Sequence, residues 1–563
     1  MFFSKSKIYS IGFVFFVIIF LFTFEVKSLD KFDKANNVSD YFSGIISLNE
    51  NDYKGSYKYL RKLKGLEKNH SNYSIQYLYA LVNSGNLKEA FNFSKKLEKQ
   101  NLNIFESHLV AGIYHLKYLN MDLAKEHFLK ARKTKRTILN DYVSSSLIIW
   151  SDLLSSDLNT TSIEIKKLDQ RFDNLKKIQN VFLNCYFESP KTKNLFSDLI
   201  ENKNTDFSRY YYFYASYMAS LGNLIDAKNI VERGLQSYPR NLKLNQIKAD
   251  LNSNKDISIF NCKNVSHVSA EILYITANAL SSQSIYPLSN FYLNLAKFLN
   301  EGFHSYETLL AENFYKINNY DEAKKIYNFL IKKGEAYRWY SSKQLARIYL
   351  QDKDKDKAFK VLTDAYNSLN QKKIYETFDF AEFLKNNEKF KESIKYYTEI
   401  IKKIKIKHPL YAEAMDGRGI AYERIGEWDK AEKDLLNSLK VDPDQAYVIN
   451  YLAYSWIEQG IKIKKSLDML EKANKLKSND PYIIDSLGWA LFKLKRYKES
   501  KGYLQKAVSL MPGDPIVNDH FGDVLWKNGN EIQARYYWNY VLNLEKTEDN
   551  LKKSVEEKLV KGL

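Results

Sequence analysis

Residues 480–512 read DPYIIDSLGWALFKLKRYKESKGYLQKAVSLMP, and residues 514–546 read DPIVNDHFGDVLWKNGNEIQARYYWNYVLNLEK. Laid over each other with a shift of 34, Gly488 falls on Gly522, Ser500 on Ala534, Leu504 on Trp538 and Ala507 on Val541. The same columns continue upstream through Ala453, Ser466 and Ala473, and through Gly419, Ala431 and Ser438. Three small-residue columns thus share one period, while aromatic or large residues such as Tyr422, Trp456 and Leu491 fill the slots beside them. Small side chains let two helix axes approach to about 8–10 Å, and the larger ones fill the grooves alongside. A single hairpin of helices cannot bury its apolar face, so the period has to persist for a core to form.

It does persist. Ala381 with Ser393, Ala346 with Ala358, Ala311 with Ala323 and Ala277 with Ser289 are each twelve apart, and before them come Ala215 with Ala227, Gly112 with Ala124, Leu78 with Ala90 and Ser43 with Gly55. Twelve units of about 34 residues leave little room for an embedded catalytic domain. Asp442-Pro443, Asp480-Pro481 and Met511-Pro512 mark joints where a residue without an N–H ends one helix or opens the next. The reading divides the chain into N-terminal repeats (36–135), degenerate helical repeats (136–205), a further repeat (206–240), an irregular polar connection or irregular helix (241–268), central repeats (269–405) and C-terminal repeats (408–546). Leu551, Val555 and Leu559, four apart, predict a closing helix in 547–563 that covers the last apolar face.

These columns resemble the tetratricopeptide repeat family. The resemblance implies an all-α fold, an α-solenoid winding as a right-handed superhelix of helix-turn-helix repeats. More narrowly, the C-terminal block resembles exported alphaproteobacterial repeat proteins of unknown role, through Asn450-Tyr451-Leu452-Ala453-Tyr454-Ser455-Trp456, Asp485-Ser486-Leu487-Gly488-Trp489-Ala490, Pro512-Gly513-Asp514-Pro515, Asn518-Asp519-His520 and the closing Lys558-Leu559-Val560-Lys561-Gly562-Leu563. That likeness implies a non-enzymatic adaptor in the cell envelope and supplies no catalytic residue. Ala or Ser in the Gly column of many units, and the one-residue insertion at Ile461 to Lys465, depart from the family pattern.

Composition agrees. With 20 Gly and 8 Pro in 563 residues, the chain has too few turn formers for a sandwich or barrel, and 45% hydrophobic residues exclude wholesale disorder. The net charge of +18 is spread widely; its densest run, Lys402 to Lys407, is short and comes with no nucleic-acid-binding motif, so no nucleic acid is expected as a partner. Cys185 and Cys262 are the only cysteines, which rules out a four-cysteine metal site and a disulfide framework.

Lys5 and Lys7 precede an apolar run from Ile11 to Phe24, followed by Val26 and Ser28. This is a secretory layout, with cleavage expected after Ser28. Fourteen residues reach about 21 Å as a helix, short of a hydrocarbon core of about 30 Å. The expectation for 1–28 is a signal peptide or an N-terminal membrane anchor. The body is then exported to the periplasm, soluble after cleavage, or held at the inner membrane through residues 8–24 when the leader is retained.

A repeat array of this kind is concave along its first helices. The groove candidates there are Tyr447, Asn450, Tyr454, Tyr482, Asp485, Trp489, Asp519, Asp523 and Trp526. The rings offer apolar contact, Asn450 can bond a peptide backbone, and the three aspartates favour basic side chains; Trp489 and Trp526 equally suit packing between helices. The expected partners are protein or peptide segments. A second reading, from another class, is an accessory protein handling a surface polysaccharide or other polymer during export. No catalytic residue, no cofactor and no metal is expected. His108 and His115 lie seven apart on one expected helix and His127 on the next, but such spacing also places histidines on a half-buried face, and no carboxylate fills a recognisable supporting slot beside them. Asp519 and His520 are neighbours on a helix and do not face each other. Asp352 to Lys357 lacks the Gly and Glu of a calcium loop and reads as a solvated turn.

Overall fold

The structure is a computed structural model that describes residues 35–63, 65–134, 137–202, 205–253 and 260–563. The leader, 1–28, and its expected cleavage point lie outside these residues. Every regular element among the described residues is a helix, and none is long and apolar enough to cross a membrane. The chain divides into two compact units, 1–367 and 368–563.

In the second unit the helices come in pairs: Ile374–Asn386 with Phe390–Lys403, Leu410–Arg424 with Trp428–Val441, Ala446–Glu458 with Ile463–Leu476, Pro481–Lys493 with Tyr497–Leu510, and Pro515–Lys527 with Glu531–Leu542, before the closing helix Asp549–Lys561. The small-residue columns are what hold each pair together. Ala431, Ser466, Ser500 and Ala534 are fully buried, as are Ser438, Ala473, Ala507 and Val541. A methyl group on Gly488 would stand 2.7 Å from Leu504 Cγ, and one on Gly419 3.0 Å from Leu435 Cγ. Each Gly of the first helix therefore meets the large side chain sixteen residues on. Ser500 Oγ then donates to the Gly488 carbonyl at 2.7 Å, so the paired columns are bonded as well as packed.

Helix starts follow from Asp-Pro. Asp480 accepts from the backbone N–H groups of Tyr482 and Ile483 at 3.1 and 3.2 Å, and Asp514 does the same for Ile516 and Val517 at 2.9 and 3.1 Å, each with Pro at the first helical position. The turns inside the pairs each need a residue at positive φ: Ser284, Asn318, Lys353, Glu388, Gly426, Gly460, Lys495 and Gly529, with Lys462 a second one in the turn after Gly460. The left-handed position recurs with the repeat, yet only some of these residues are Gly, so the turn carries no constant sequence signal. Lys353 lies in the Asp352 to Lys357 stretch, where Asp354 accepts from the Lys357 N–H at 3.1 Å and caps the next helix; it is a turn between helices.

The first unit departs from a plain row of repeats. Its degenerate stretch holds the helices Ile138–Ser151, Leu158–Lys167, Asp173–Tyr186 and Thr192–Glu201. The segment 241–268, expected as irregular, contains the helix Leu242–Asn252 and the start of Val265–Ser282. Asn241 caps the former by accepting from Leu244 N–H at 3.1 Å, and Leu244, Ile247 and Leu251 are buried one and two turns apart. Its polar composition hid a narrow apolar stripe. Elements far apart in sequence also meet: Asn290 Nδ2 donates to Tyr53 Oη at 3.2 Å, Asn294 Nδ2 to Asn83 Oδ1 at 3.1 Å, and Ser266 Oγ to the Leu116 carbonyl at 3.3 Å. Contacts in this unit therefore run beyond sequence neighbours, and one hydrophobic cluster extends from Tyr53 to Ile348. The two cysteines, read above as excluding any framework, form a single disulfide, Cys185–Cys262, that closes a loop of 77 residues.

Candidate partner-binding surface

Tyr447, Asn450 and Tyr454 lie on Ala446–Glu458, Tyr482, Asp485 and Trp489 on Pro481–Lys493, and Asp519, Asp523 and Trp526 on Pro515–Lys527. The three helices are the first members of successive pairs, so equivalent places line up from one repeat to the next. The structure divides the nine candidates into three groups.

The acidic group is occupied from within. His520 Nδ1 lies 3.1 and 3.0 Å from the two Asp485 oxygens, and both residues are buried. Lys558, on the closing helix, donates to Asp519 at 2.7 and 2.8 Å and to Asp523 at 2.9 Å. Trp538 Nε1 donates to the other Asp523 oxygen at 3.0 Å. The expectation that Asp485, Asp519 and Asp523 meet basic side chains of a partner is therefore corrected: the three carboxylates are buried and already bonded within this chain. Burial alone would lower the His520 imidazole, but the Asp485 carboxylate outweighs it and raises the imidazole above its ordinary value. Burial, and then the Asp519 charge, push Asp523 up to about 6 against the pull of Lys558 and His520. Lys558, which burial would lower, is raised by Asp523 and Asp519.

Trp489 belongs to the packing reading. Its ring is 7% exposed, stacks on His520 at 3.9 Å and on Phe492 at 4.7 Å, and its Nε1 donates to Glu458 at 2.7 Å. Trp526 is half-buried against Trp538, with Arg535 over its ring at 4.6 Å.

The other group faces outward. Tyr447 is 55% exposed, Tyr482 56%, and Ile516, at the same place in the next repeat, 50%. One turn along the first of these helices, Asn450 is half-buried and its Oδ1 has no hydrogen-bond partner. Tyr454, two turns along, is half-buried with its ring 6.4 Å from His520. Tyr447 Oη donates to Asp480 at 3.0 Å, and Lys477 sits 3.9 Å over one face of its ring, so the ring is held in place with the rest of it exposed. The arrangement offers a row of apolar contacts and an unmet carboxamide, and among the residues of this surface no set of groups is poised for bond making.

Lys558 and His520 are the residues the sequence reading missed. The signal for Lys558 was available: it lies three residues after Val555, so it shares the face of the apolar stripe that covers the last repeat. His520 carried none, because its partner Asp485 stands a full repeat away.

The family model for tetratricopeptide repeats matches residues 303–547. A TPR repeat-containing protein of Pseudomonas aeruginosa is 28% identical over 113 residues, which are 20% of this chain and 18% of that relative's length. Among solved structures, MamA from Desulfovibrio magneticus is 19% identical and covers 32% of this chain and 99% of its own, with a TM-score of 0.28. YrrB, described as a TPR protein with an unusual peptide-binding site, is 16% identical over 35% of this chain and 97% of its own, with a TM-score of 0.27. A thermophilic TPR protein of Thermus thermophilus is 12% identical over 33% of this chain and 100% of its own, with a TM-score of 0.29.

Proposed function

We propose, from the match of residues 303–547 to the tetratricopeptide repeat family model, that the chain is a non-catalytic scaffold of the bacterial cell envelope that holds extended segments of partner proteins. The observation that carries the reading is the row Tyr447, Tyr482 and Ile516, exposed at equivalent places on three successive repeats. A soluble surface gains nothing by repeating an exposed apolar side chain at each repeat, whereas an extended partner meets each in turn and gains avidity from linked weak contacts. Asn450, half-buried on the same helix as Tyr447, adds a carboxamide that can bond a peptide main chain.

Two features support export. The layout of residues 1–28 is that of a secretory leader, and the Cys185–Cys262 disulfide suits an oxidising compartment. A mature N-terminus at Leu29 by mass spectrometry is expected of a freely soluble periplasmic form, and retention of Met1 of a tethered one.

The test is affinity for a partner captured by crosslinking in intact cells. Tyr482→Ala and Asn450→Ala each weaken it by about tenfold while helicity is unchanged. Unchanged affinity in both variants overturns the surface assignment. Binding that ignores both and falls steeply with salt is the behaviour of an anionic polymer instead.

A further inference from the structure

Glu98, His108 and His127 come from three consecutive helices of the first unit, Leu87–Lys99, Phe105–Lys117 and Met121–Lys133, and each brings a ligand atom to within 4.8 Å of the other two. The sequence reading sets these histidines aside for want of a carboxylate. The fold supplies one from the preceding helix, at a separation that no motif spacing reveals.

The geometry is that of a ligand set. His108 Nδ1 and His127 Nδ1 are 3.4 Å apart, and two nitrogens held about 2.1 Å from a tetrahedral ion also stand about 3.4 Å apart. His108 Nε2 lies 3.1 Å from Asn103 Oδ1. That oxygen accepts only, so the proton sits on Nε2 and the lone pair of Nδ1 is directed to His127, the tautomer an outer-shell carbonyl imposes on a ligating imidazole. The His115 ring stacks on His127 at 5.4 Å with a 10° tilt and fixes its plane. Both ligating imidazoles are buried, whereas Glu98 is about one-third exposed and leaves an entry path. Lys130 stands on Glu98 at 2.7 Å, but it is bonded equally to Glu126 at 2.5 Å, which keeps the ammonium when Glu98 turns to a cation.

We propose that Glu98, His108 and His127 bind one divalent transition-metal ion of the zinc class, with water completing the coordination. Two imidazoles and a carboxylate select zinc, copper or nickel over magnesium and calcium. The ion pins three helices of the first unit together, and the site stands independently of the partner surface on the second unit.

The experiment uses the full chain without an affinity tag, dialysed against zinc alone and, separately, cobalt(II). About one equivalent of zinc per chain and the visible absorption of low-coordinate cobalt are expected. His127→Gln abolishes both. Glu98→Gln, at a partly exposed position that tolerates the change, and Asn103→Ala, which removes no ligand, each weaken zinc about 10- to 100-fold, while His408→Gln leaves binding unchanged. Wild-type protein that retains no stoichiometric zinc, or zinc binding that Glu98→Gln and Asn103→Ala leave unaltered, overturns the proposal and reduces the histidine pair to an N–H···N hydrogen bond.

Discussion

Lys558 reaches from the closing helix to place its ammonium 2.7 Å from Asp519 Oδ1 and 2.9 Å from Asp523 Oδ2. Two acids at equivalent depth in the last first helix thus share one cation, and the helix Asp549–Lys561 seals the array electrostatically as well as through Val555, which is fully buried.

Removing that cation leaves two buried carboxylates unmatched. Lys558→Met is expected to destabilise the C-terminal end by about 3–5 kcal/mol, read as faster amide hydrogen exchange across 515–561. The triple change with Asp519→Asn and Asp523→Asn restores most of the loss, because the desolvated charges are then gone. Equal exchange in Lys558→Met and wild type refutes the seal.

The same cluster sets a pH dependence. His520 is raised in the folded state, so its contribution is fully present below its unfolded value, about 6.5, and is lost as pH rises through the folded value. Asp523 is also raised, to about 6, and its contribution is lost between about pH 4 and 6. Both signs agree: the C-terminal repeats are more stable at pH 5 than at pH 8. His520→Asn flattens the upper part of the curve. The His520 titration is read as the fluorescence difference between wild type and Trp489→Phe, since the two rings stack at 3.9 Å.

Gly488 and Gly502 give opposite answers to one substitution. Gly488→Ala forces a methyl onto Leu504 and costs about 1–3 kcal/mol. Gly502, in the helix Tyr497–Leu510, has nothing within 4 Å, so Gly502→Ala stabilises by about 0.5–1 kcal/mol through helix propensity. Urea denaturation of both variants checks the pair, and a loss at Gly502 is the result that contradicts the packing argument.

Cys185→Ser with Cys262→Ser is expected to cost the first unit about 2–4 kcal/mol by releasing a long loop in the unfolded chain. A reducing agent lowers wild type by the same amount and leaves the double variant unmoved. Identical melting of wild type with and without reductant contradicts the bond.

Much of the repeat architecture was legible because its cause is short-range. A small residue on one helix and a large one sixteen positions later meet within a single hairpin, so Gly419 with Leu435 and Gly488 with Leu504 leave their mark as columns in the chain. The equivalent places of Tyr447 and Tyr482 in successive repeats were legible for the same reason, and both side chains are exposed. The turns were less so, because Lys353, Glu388 and Lys495 take the left-handed conformation that elsewhere falls to Gly.

By itself the sequence determined the period, the paired helices and the apolar stripe of the closing helix, all set by contacts within about one repeat. Only the tertiary structure decided which acids are bonded internally, Asp485 to His520 and Asp519 with Asp523 to Lys558, that the two cysteines meet, and that Glu98 lies beside His108 and His127. The reason is physical: a hydrophobic column needs only the right size of residue at the right interval, whereas an ion pair, a disulfide or a ligand set needs two or three particular atoms within a few ångströms, and that is settled by how distant elements pack.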